Sequence, residues 1–388
     1  LSVYRELGVK RVVNAAFALT RLGGSTLPRE VKEAMEEANK SYCNMWELMT
    51  RAGGIIAEGA SAPAAWVTSG GFAALVLSAA ACMAGKDPEK MRRLPDSTGM
   101  KNEIIIQRNN RLYVYDRAME VAGGRFVFVG DENWGCGVEE IEAAITDKTA
   151  AIHYAYPTAP KRGVVMLEEL LKVAHNHGVP VIVDAAGMTY PTTNFRKYME
   201  MGCDLVCYGG KYVQGPNSTG FVTGRKDLVE AIALHSFIGA ESGPDERPGY
   251  WRSIGRGYKL DRQEIVGLVV AFRRWMRMDH EKERLEPAWE RARYIEKRIR
   301  RLPGLKEARI TWFPRSGKGI GYNTLGLSVE FPGRSVEEVS ALVNRMREAD
   351  PEVWVRYWYN SSEFLVNALM LQPGEEKIVV ERFKEVFG

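Results

Sequence analysis

A chain of 388 residues with 53 Lys and Arg against 49 Asp and Glu carries a net charge of only +4, which gives no electrostatic footprint for nucleic acid. Hydrophobic residues make up 45% and charged residues 26%, so one large domain and a smaller companion can bury a core without metal or disulfide staples. The cysteines, Cys43, Cys82, Cys136, Cys203 and Cys207, form no CxxC pair and are odd in number, which points to reduced thiols and a cytoplasmic setting.

The first residues, LSVYRELGVKRVV, show no charged-then-apolar leader pattern. The longest low-charge run, Phe72 to Gly85, is too short to cross a bilayer, so no membrane partner is expected. After VVNAAFALT comes Arg21-Leu-Gly-Gly-Ser25, a loop whose Arg21 is a candidate substrate contact, although an ordinary turn accounts for it more simply. Helical spacing follows from Pro28 (VKEAMEEANKSY) and over Met45 to Ala60. Ala64-Ala-Trp-Val-Thr68-Ser69-Gly70-Gly71 is then a short apolar run ending in hydroxyl and glycine residues, before a helix apolar on all sides. Free amides and the helix dipole at such a junction suit an anion, making Thr68, Ser69, Gly70 and Gly71 candidates for a phosphate; an N-cap explains the same residues. The turn is neither a P-loop nor a GxGxxG fingerprint, so a nucleotide has no support.

Asp87 to Lys101, polar and with two prolines, reads as a long surface loop. Strands are predicted at Glu103–Gln107, Arg125–Val129 and Ala150–Tyr154, separated by helices at Tyr113–Ala122, VEEIEAAI and MLEELLKVAHNHG. Two further strands, Val179–Asp184 and Asp204–Tyr208, complete a β–α–β rhythm, and Phe221–Gly224 adds one beside them. Such alternation predicts an α/β fold, a mostly parallel sheet between helices with its ligand at the strands' carboxyl ends. Gly239 to Gly257 reads as an extended loop whose Arg252 and Arg256 are candidates for an anionic substrate group. Leu260 to Arg301 is a long helical region of mixed charge, hence a solvated connection rather than an RNA surface. A smaller α/β domain follows, with strands at ARITWF, TLGLSVEF and EVWVRYWY and helices at VEEVSALVNRMREA and EKIVVERFKEVF. The boundary is expected at 258/259, with an N-terminal segment and large domain over 1–258 and a linking helix and small domain over 259–388. No internal repeat is present.

Chemistry concentrates between Val179 and Arg225. Asp184 closes one buried strand, and Gly209-Gly210 after the next lets the backbone turn Lys211 over the same edge. Pyridoxal phosphate needs a lysine for its Schiff base and a carboxylate to keep its pyridine nitrogen protonated, and these two residues suit both tasks. A buried Asp–Lys ion pair accounts for them equally well.

Longer motifs favour the cofactor. RVVNAA…TRLGGS, WVTSGGFAAL, RLPDSTGMKNEIIIQR, VIVDAAG, YGGKYVQGPNSTGFVTGRKDL, IGRGYKLDRQEIVGL and LQPGEEKIVVERF run through nearly the whole chain. In these motifs the chain resembles the SelA-like family of fold-type I pyridoxal-phosphate enzymes, and RLPDSTGMKNE and GRGYKLDRQEIVGL resemble its D-glucosaminate-6-phosphate ammonia-lyase branch more than selenocysteine synthase. The resemblance implies that Lys211 is the Schiff-base lysine and Asp184 the pyridine-nitrogen carboxylate. It also implies that Ser69, Gly70 and Gly71 cradle the phosphate, and that Gln214 to Thr219, including Ser218 and Thr219, lies near that phosphate from a neighbouring subunit. The residue stacked on the ring is expected among Asn110, Arg111 and Tyr113.

Three departures lie near the implied substrate pocket. Tyr208 stands for a serine three residues before the lysine, Ala16-Phe17 for a small pair after Asn14, and no histidine follows Arg108. Tyr208 is kept among the cofactor contacts, and the substrate stays open. Arg21, Arg252, Arg256 and Arg356 are the candidates for its carboxylate or phosphate. The chain starts almost at the core, without the extra N-terminal domain associated with tRNA binding, so a tRNA substrate is not expected. The implied activity is a lyase acting on an amino acid or amino-sugar acid by Cα deprotonation and β-elimination, releasing ammonia and a keto acid. An aminotransferase, racemase or β-replacement enzyme is the alternative, and a non-catalytic tRNA-binding relative the remote one. A homodimer or larger homo-oligomer is implied.

Overall fold

A computed structural model describes residues 3–155, 162–241, 252–313, 324–358 and 361–388. Its strands are β1 (Val12–Ala15), β2 (Ala64–Thr68), β3 (Glu103–Gln107), β4 (Arg125–Val129), β5 (Thr149–Tyr154), β6 (Val181–Asp184), β7 (Leu205–Gly209), β8 (Gly220–Gly224), β9 (Arg309–Phe313), β10 (Gly326–Glu330), β11 (Glu352–Tyr357) and β12 (Glu363–Asn367). The chain forms two compact units, Leu27–Met276 and a second joining Leu1–Thr26 to Arg277–Gly388.

The larger unit is built on a seven-stranded sheet in the order β2-β8-β7-β6-β5-β3-β4. Pairing is parallel from β7 through β4, while β8 pairs antiparallel with both β7 and the edge strand β2. Every residue of β5, β6 and β7 is buried, as expected for central strands covered on both faces, and this explains their largely apolar sequences. One face is covered by the helix Gly70–Ala84, which buries eleven of its residues and packs on β5 to β8. On the other face Phe195, Tyr208, Phe221 and Phe272 form an aromatic cluster with ring centroids 4.9–6.1 Å apart.

The second unit carries a five-stranded sheet, β1-β11-β12-β10-β9, antiparallel except for the β1–β11 pair. The N-terminal segment belongs here because β1 pairs with β11 and Arg11 reaches Glu375 at 2.5 Å, at the start of the helix Glu375–Phe387. A capping box between Ser335 and Glu338 opens the helix Val336–Met346.

Some sequence expectations change. Asp87 to Lys101 is not all loop: Asp87 accepts hydrogen bonds from the amides of Glu89 and Lys90 and starts a helix, Pro88–Arg93, with proline at its first position. The region from Leu260 to Arg301 is two helices, Arg262–Arg277 and Glu286–Ile299, with a π turn at Glu281–Leu285. The sequence suggested a division at 258/259, whereas the compact units meet at 276/277. The helix Arg262–Arg277 belongs to the larger unit because Phe272 completes the aromatic cluster and Trp275 Nε1 donates to the Thr189 carbonyl at 2.7 Å. Most of the loop expected at 239–257 lies outside the described residues. Among the described residues, no helix is long and apolar enough to cross a membrane.

Candidate active site

Three segments meet at the carboxyl edge of the large sheet. β6 ends at Asp184, and the chain beyond it turns so that the Gly209 amide donates to the Ala186 carbonyl at 3.0 Å. β7 ends at Gly209, and the Gly210 amide then donates to the Thr219 carbonyl at 2.8 Å, holding the short 3-10 turn Gly210–Val213 that carries half-buried Lys211. A Cβ on Gly210 would fall 2.1 Å from the Thr219 hydroxyl oxygen, so only glycine allows this approach. The third segment is the turn from β2 into the helix Gly70–Ala84. Gly70 has a φ of +85°, and a Cβ on Gly220 would meet the Gly70 backbone at 2.5 Å.

Asp184 is 4% exposed, and its Oδ1 accepts from the Ala186 amide at 3.0 Å. Burial pushes its carboxyl above the usual carboxylate range; His153 and the Ala186 amide oppose that rise, and Asp116 adds to it. Cys207, paired with Asp184 across β6 and β7, sits 3.4 Å from the Ser78 hydroxyl, and burial holds its thiol up at about 12, so it is neutral. The Lys211 amine lies 5.3 Å from the Tyr212 ring centroid.

These residues fit pyridoxal phosphate. A buried carboxylate ends one central strand, an amine follows the next, and a fifteen-residue helix begins between them with no side-chain cap from Ser69. A Cβ on Gly71 would stand 3.7 Å from the Ala186 Cβ and 3.8 Å from the Gly209 nitrogen, so the glycines keep a place beside the helix amides free of side chains. Thr68 is buried and spends its hydroxyl on the Gly70 carbonyl at 3.0 Å.

The other candidates make contacts of their own. Tyr208 points to the opposite face from Cys207 and Asp184, stacked on Phe221 at 4.9 Å in the aromatic cluster. Asn110 is buried and donates to the Ala155 carbonyl at 3.1 Å, past the end of β5. Arg111 is turned onto Asp116 at 3.1 Å, with Tyr113 and Phe128 ring centroids 4.3 and 4.6 Å from its guanidinium. Tyr113 is 60% exposed and donates to Glu132 at 3.1 Å. Ser218 is exposed and bonds to Glu264, while Thr219 is buried and donates to the Pro216 carbonyl at 2.7 Å. Arg252 is exposed, and Arg256 pairs with Glu241. Arg21 and Arg356 belong to the second unit, where they lie 5.0 and 5.1 Å from the Trp354 and Trp358 ring centroids.

Sequence reasoning missed a buried pair, His153 on β5 and Asp116 on the helix Tyr113–Val121, 3.3 Å apart with neither side chain exposed to solvent. The available signal was a histidine inside an otherwise apolar strand, Ala150-Ala-Ile-His-Tyr154.

The chain is similar to several known proteins over most of its length. The profile of the Cys/Met metabolism PLP-dependent enzyme family matches residues 123–250, a span containing both Asp184 and Lys211. A 5'-C-glycyluridine monooxygenase-decarboxylase from a Streptomyces species is 32% identical over 390 aligned residues, covering 99% of this chain and 91% of that protein. The D-glucosaminate-6-phosphate ammonia lyase of Salmonella typhimurium is 25% identical, covering 99% and 98%. A solved structure of a D-glucosaminate-6-phosphate ammonia-lyase superposes with a TM-score of 0.81 at 26% identity, covering 100% of this chain and 98% of that one. With the Asp184 strand end, the Lys211 turn and the Gly70–Gly71 helix start meeting at one sheet edge, the chain belongs to the SelA-like family of fold-type I pyridoxal-phosphate-dependent enzymes.

Proposed function

We propose that the protein is a lyase that removes the Cα proton of an amino acid or amino-sugar acid and expels a β-hydroxyl group, giving ammonia and a keto acid. The observation that carries this reading is the placement of Asp184 and Lys211 at the ends of adjacent central strands, on a fold shared over its full length with an ammonia-lyase. Pyridoxal phosphate, when bound, supplies a conjugated ring that draws off the electron pair left at Cα.

The chain's own residues do the rest. Lys211 would hold the cofactor through its amine, and its Nζ would be the group that takes the Cα proton. Asp184 would hold the proton on the ring nitrogen, and the amides of Gly70 and Gly71 would hold the phosphate. Ser69, Ser218, Thr219 and Asn110 shape the surrounding wall, and Arg252 and Arg256 are the reserve of cations for an acidic substrate. The active form we propose is a cytoplasmic homodimer.

A second reading has its own support. The 32% identity with a monooxygenase-decarboxylase favours oxidative loss of the substrate carboxyl group at the same Cα. Both readings share Lys211 and Asp184 and differ in whether dioxygen is consumed.

The test begins with the absorbance of purified protein given pyridoxal phosphate. A band near the visible edge, lost in Lys211→Ala, is expected; a protein that takes up no cofactor overturns the reading. Ammonia release from a panel of 3-hydroxy-2-amino acids and amino-sugar acids, unchanged under argon, supports the lyase. Oxygen uptake with carbon dioxide release supports the second reading.

A further inference from the structure

The Asp116–His153 pair is buried, charged and unused by the reaction steps above. Asp116 accepts from the Leu112 amide at 3.1–3.2 Å and from Arg111 Nε at 3.1 Å, in addition to facing His153 Nε2 at 3.3 Å. The other ring nitrogen, Nδ1, lies 3.3 Å from the Ile182 carbonyl. A backbone carbonyl can only accept, so Nδ1 carries a hydrogen. Burial pushes the Asp116 carboxyl up, but the hydrogen bonds it accepts, those of the Leu112 amide and Arg111 among them, outweigh it and hold Asp116 below the usual range. Asp116 is therefore a carboxylate and can only accept, so Nε2 also carries a hydrogen. The ring donates from both nitrogens and bears a positive charge.

That charge lies on the face of the sheet that matters. His153 pairs with Ile182 across β5 and β6, so its side chain shares a face with Ile182 and with Asp184, two residues further along. The other groups on this face are neutral Cys207 and Ser78, while Lys211 follows on the turn after β7. Asp116 is the second anion, already balanced by Arg111.

We propose that His153 is a positioning residue for the reaction proposed above: its charged ring, clamped by Asp116 and the Ile182 carbonyl, keeps Asp184 ionised so that Asp184 can hold the proton on the cofactor's ring nitrogen. Burial alone drives Asp184 toward the neutral acid, and a neutral acid offers the ring nitrogen no charge to stabilise its proton. Arg111 is then the outer end of a row of alternating charge, Arg111, Asp116, His153 and Asp184, rather than a cofactor contact. The inference rests on the pyridoxal-phosphate reading.

The test uses holoenzyme formed with pyridoxal phosphate labelled with 15N at the ring nitrogen. In the wild type at neutral pH the ring nitrogen is expected at the protonated position; in His153→Gln it moves downfield toward the unprotonated position, while the Lys211-dependent absorbance band persists. An unchanged ring-nitrogen signal with cofactor still bound overturns the proposal. If His153→Gln does not fold, the same measurement on Asp116→Asn and 15N-histidine spectra of the wild-type apoprotein replace it. A singly protonated, neutral His153 ring in those spectra overturns the proposal, and a doubly protonated ring supports it. Failure of the wild type to take up cofactor falls on the pyridoxal-phosphate reading itself, and the histidine spectra still report on the ring.

Discussion

A Cβ built on Gly71 would lie 3.7 Å from the Cβ of Ala186, so the first turn of the helix Gly70–Ala84 and the chain just past Asp184 stand one side chain apart. That spacing is ordinary van der Waals contact. Gly71→Ala should therefore fold with a Tm within roughly 2 °C of wild type. The added methyl occupies the proposed phosphate cradle, so cofactor affinity should fall about 10-fold or more, about 1.4 kcal/mol. Fluorescence titration of apoprotein with pyridoxal phosphate measures it. Gly70→Ala is the contrast, because its φ of +85° makes any side chain strained, at a cost of about 1 kcal/mol in stability.

Asp184 should show opposite effects on stability and function. Burial raises its carboxyl in the native apoprotein, so the native chain binds this proton more tightly than the unfolded chain does. Stability then falls as pH climbs from the ordinary carboxylate range through the raised value, a loss set by the ionisation of Asp184. Asp184→Asn removes it, so the apo variant should melt roughly 2 °C higher than wild type once the pH is above the raised value. Turnover should disappear in the same variant. Calorimetry of both apoproteins, with an assay of the reconstituted pair, checks both expectations.

Tyr208 tests the difference between a pocket residue and a core residue. Its hydroxyl is fully buried and faces Thr223 without closing a hydrogen bond of good geometry, and burial pushes its ionisation well above the usual range. Tyr208→Phe should therefore leave stability unchanged or raise it by up to about 1 kcal/mol, with cofactor binding unaffected. Tyr208→Ala opens a hole beside Phe195 and Phe221 and should cost roughly 3–5 kcal/mol in urea unfolding.

His235 should contribute to acid sensitivity. Its Nε2 lies 3.0 Å from the Gly85 carbonyl, and burial pushes its pKa down to about 4 from an ordinary 6.5. Between those values the unfolded chain holds a proton that the native chain refuses. The stability this site confers is thus complete above pH 6.5 and lost as pH falls toward 4, by roughly 3 kcal/mol. His235→Asn should flatten the decline of Tm over that window, and a parallel decline would show that other groups dominate.

The periodic and chemical signals of the sequence sufficed for the large sheet. Val181–Asp184 and Leu205–Gly209 are unbroken apolar runs because both sheet faces are covered, and the glycines before Lys211 announce a turn that no other residue permits. A carboxylate ending one run and a lysine just past the other suit a cofactor and an ion pair equally well, and it is the long motifs through the whole chain that favour the cofactor. Asp87 before Pro88 is equally legible as a helix start, an acceptor side chain ahead of a proline at the first helical position. Tertiary structure alone decided three matters. It joined Val12–Ala15 to Glu352–Tyr357, a pairing between residues more than 300 positions apart that local periodicity does not encode. It turned Tyr208 away from Asp184, since the face of a strand residue depends on the register of its neighbours. It also buried His153 against Asp116, giving the ring two acceptors at once; a contact between a strand and a helix is set by packing, and nothing in either segment's own sequence dictates it.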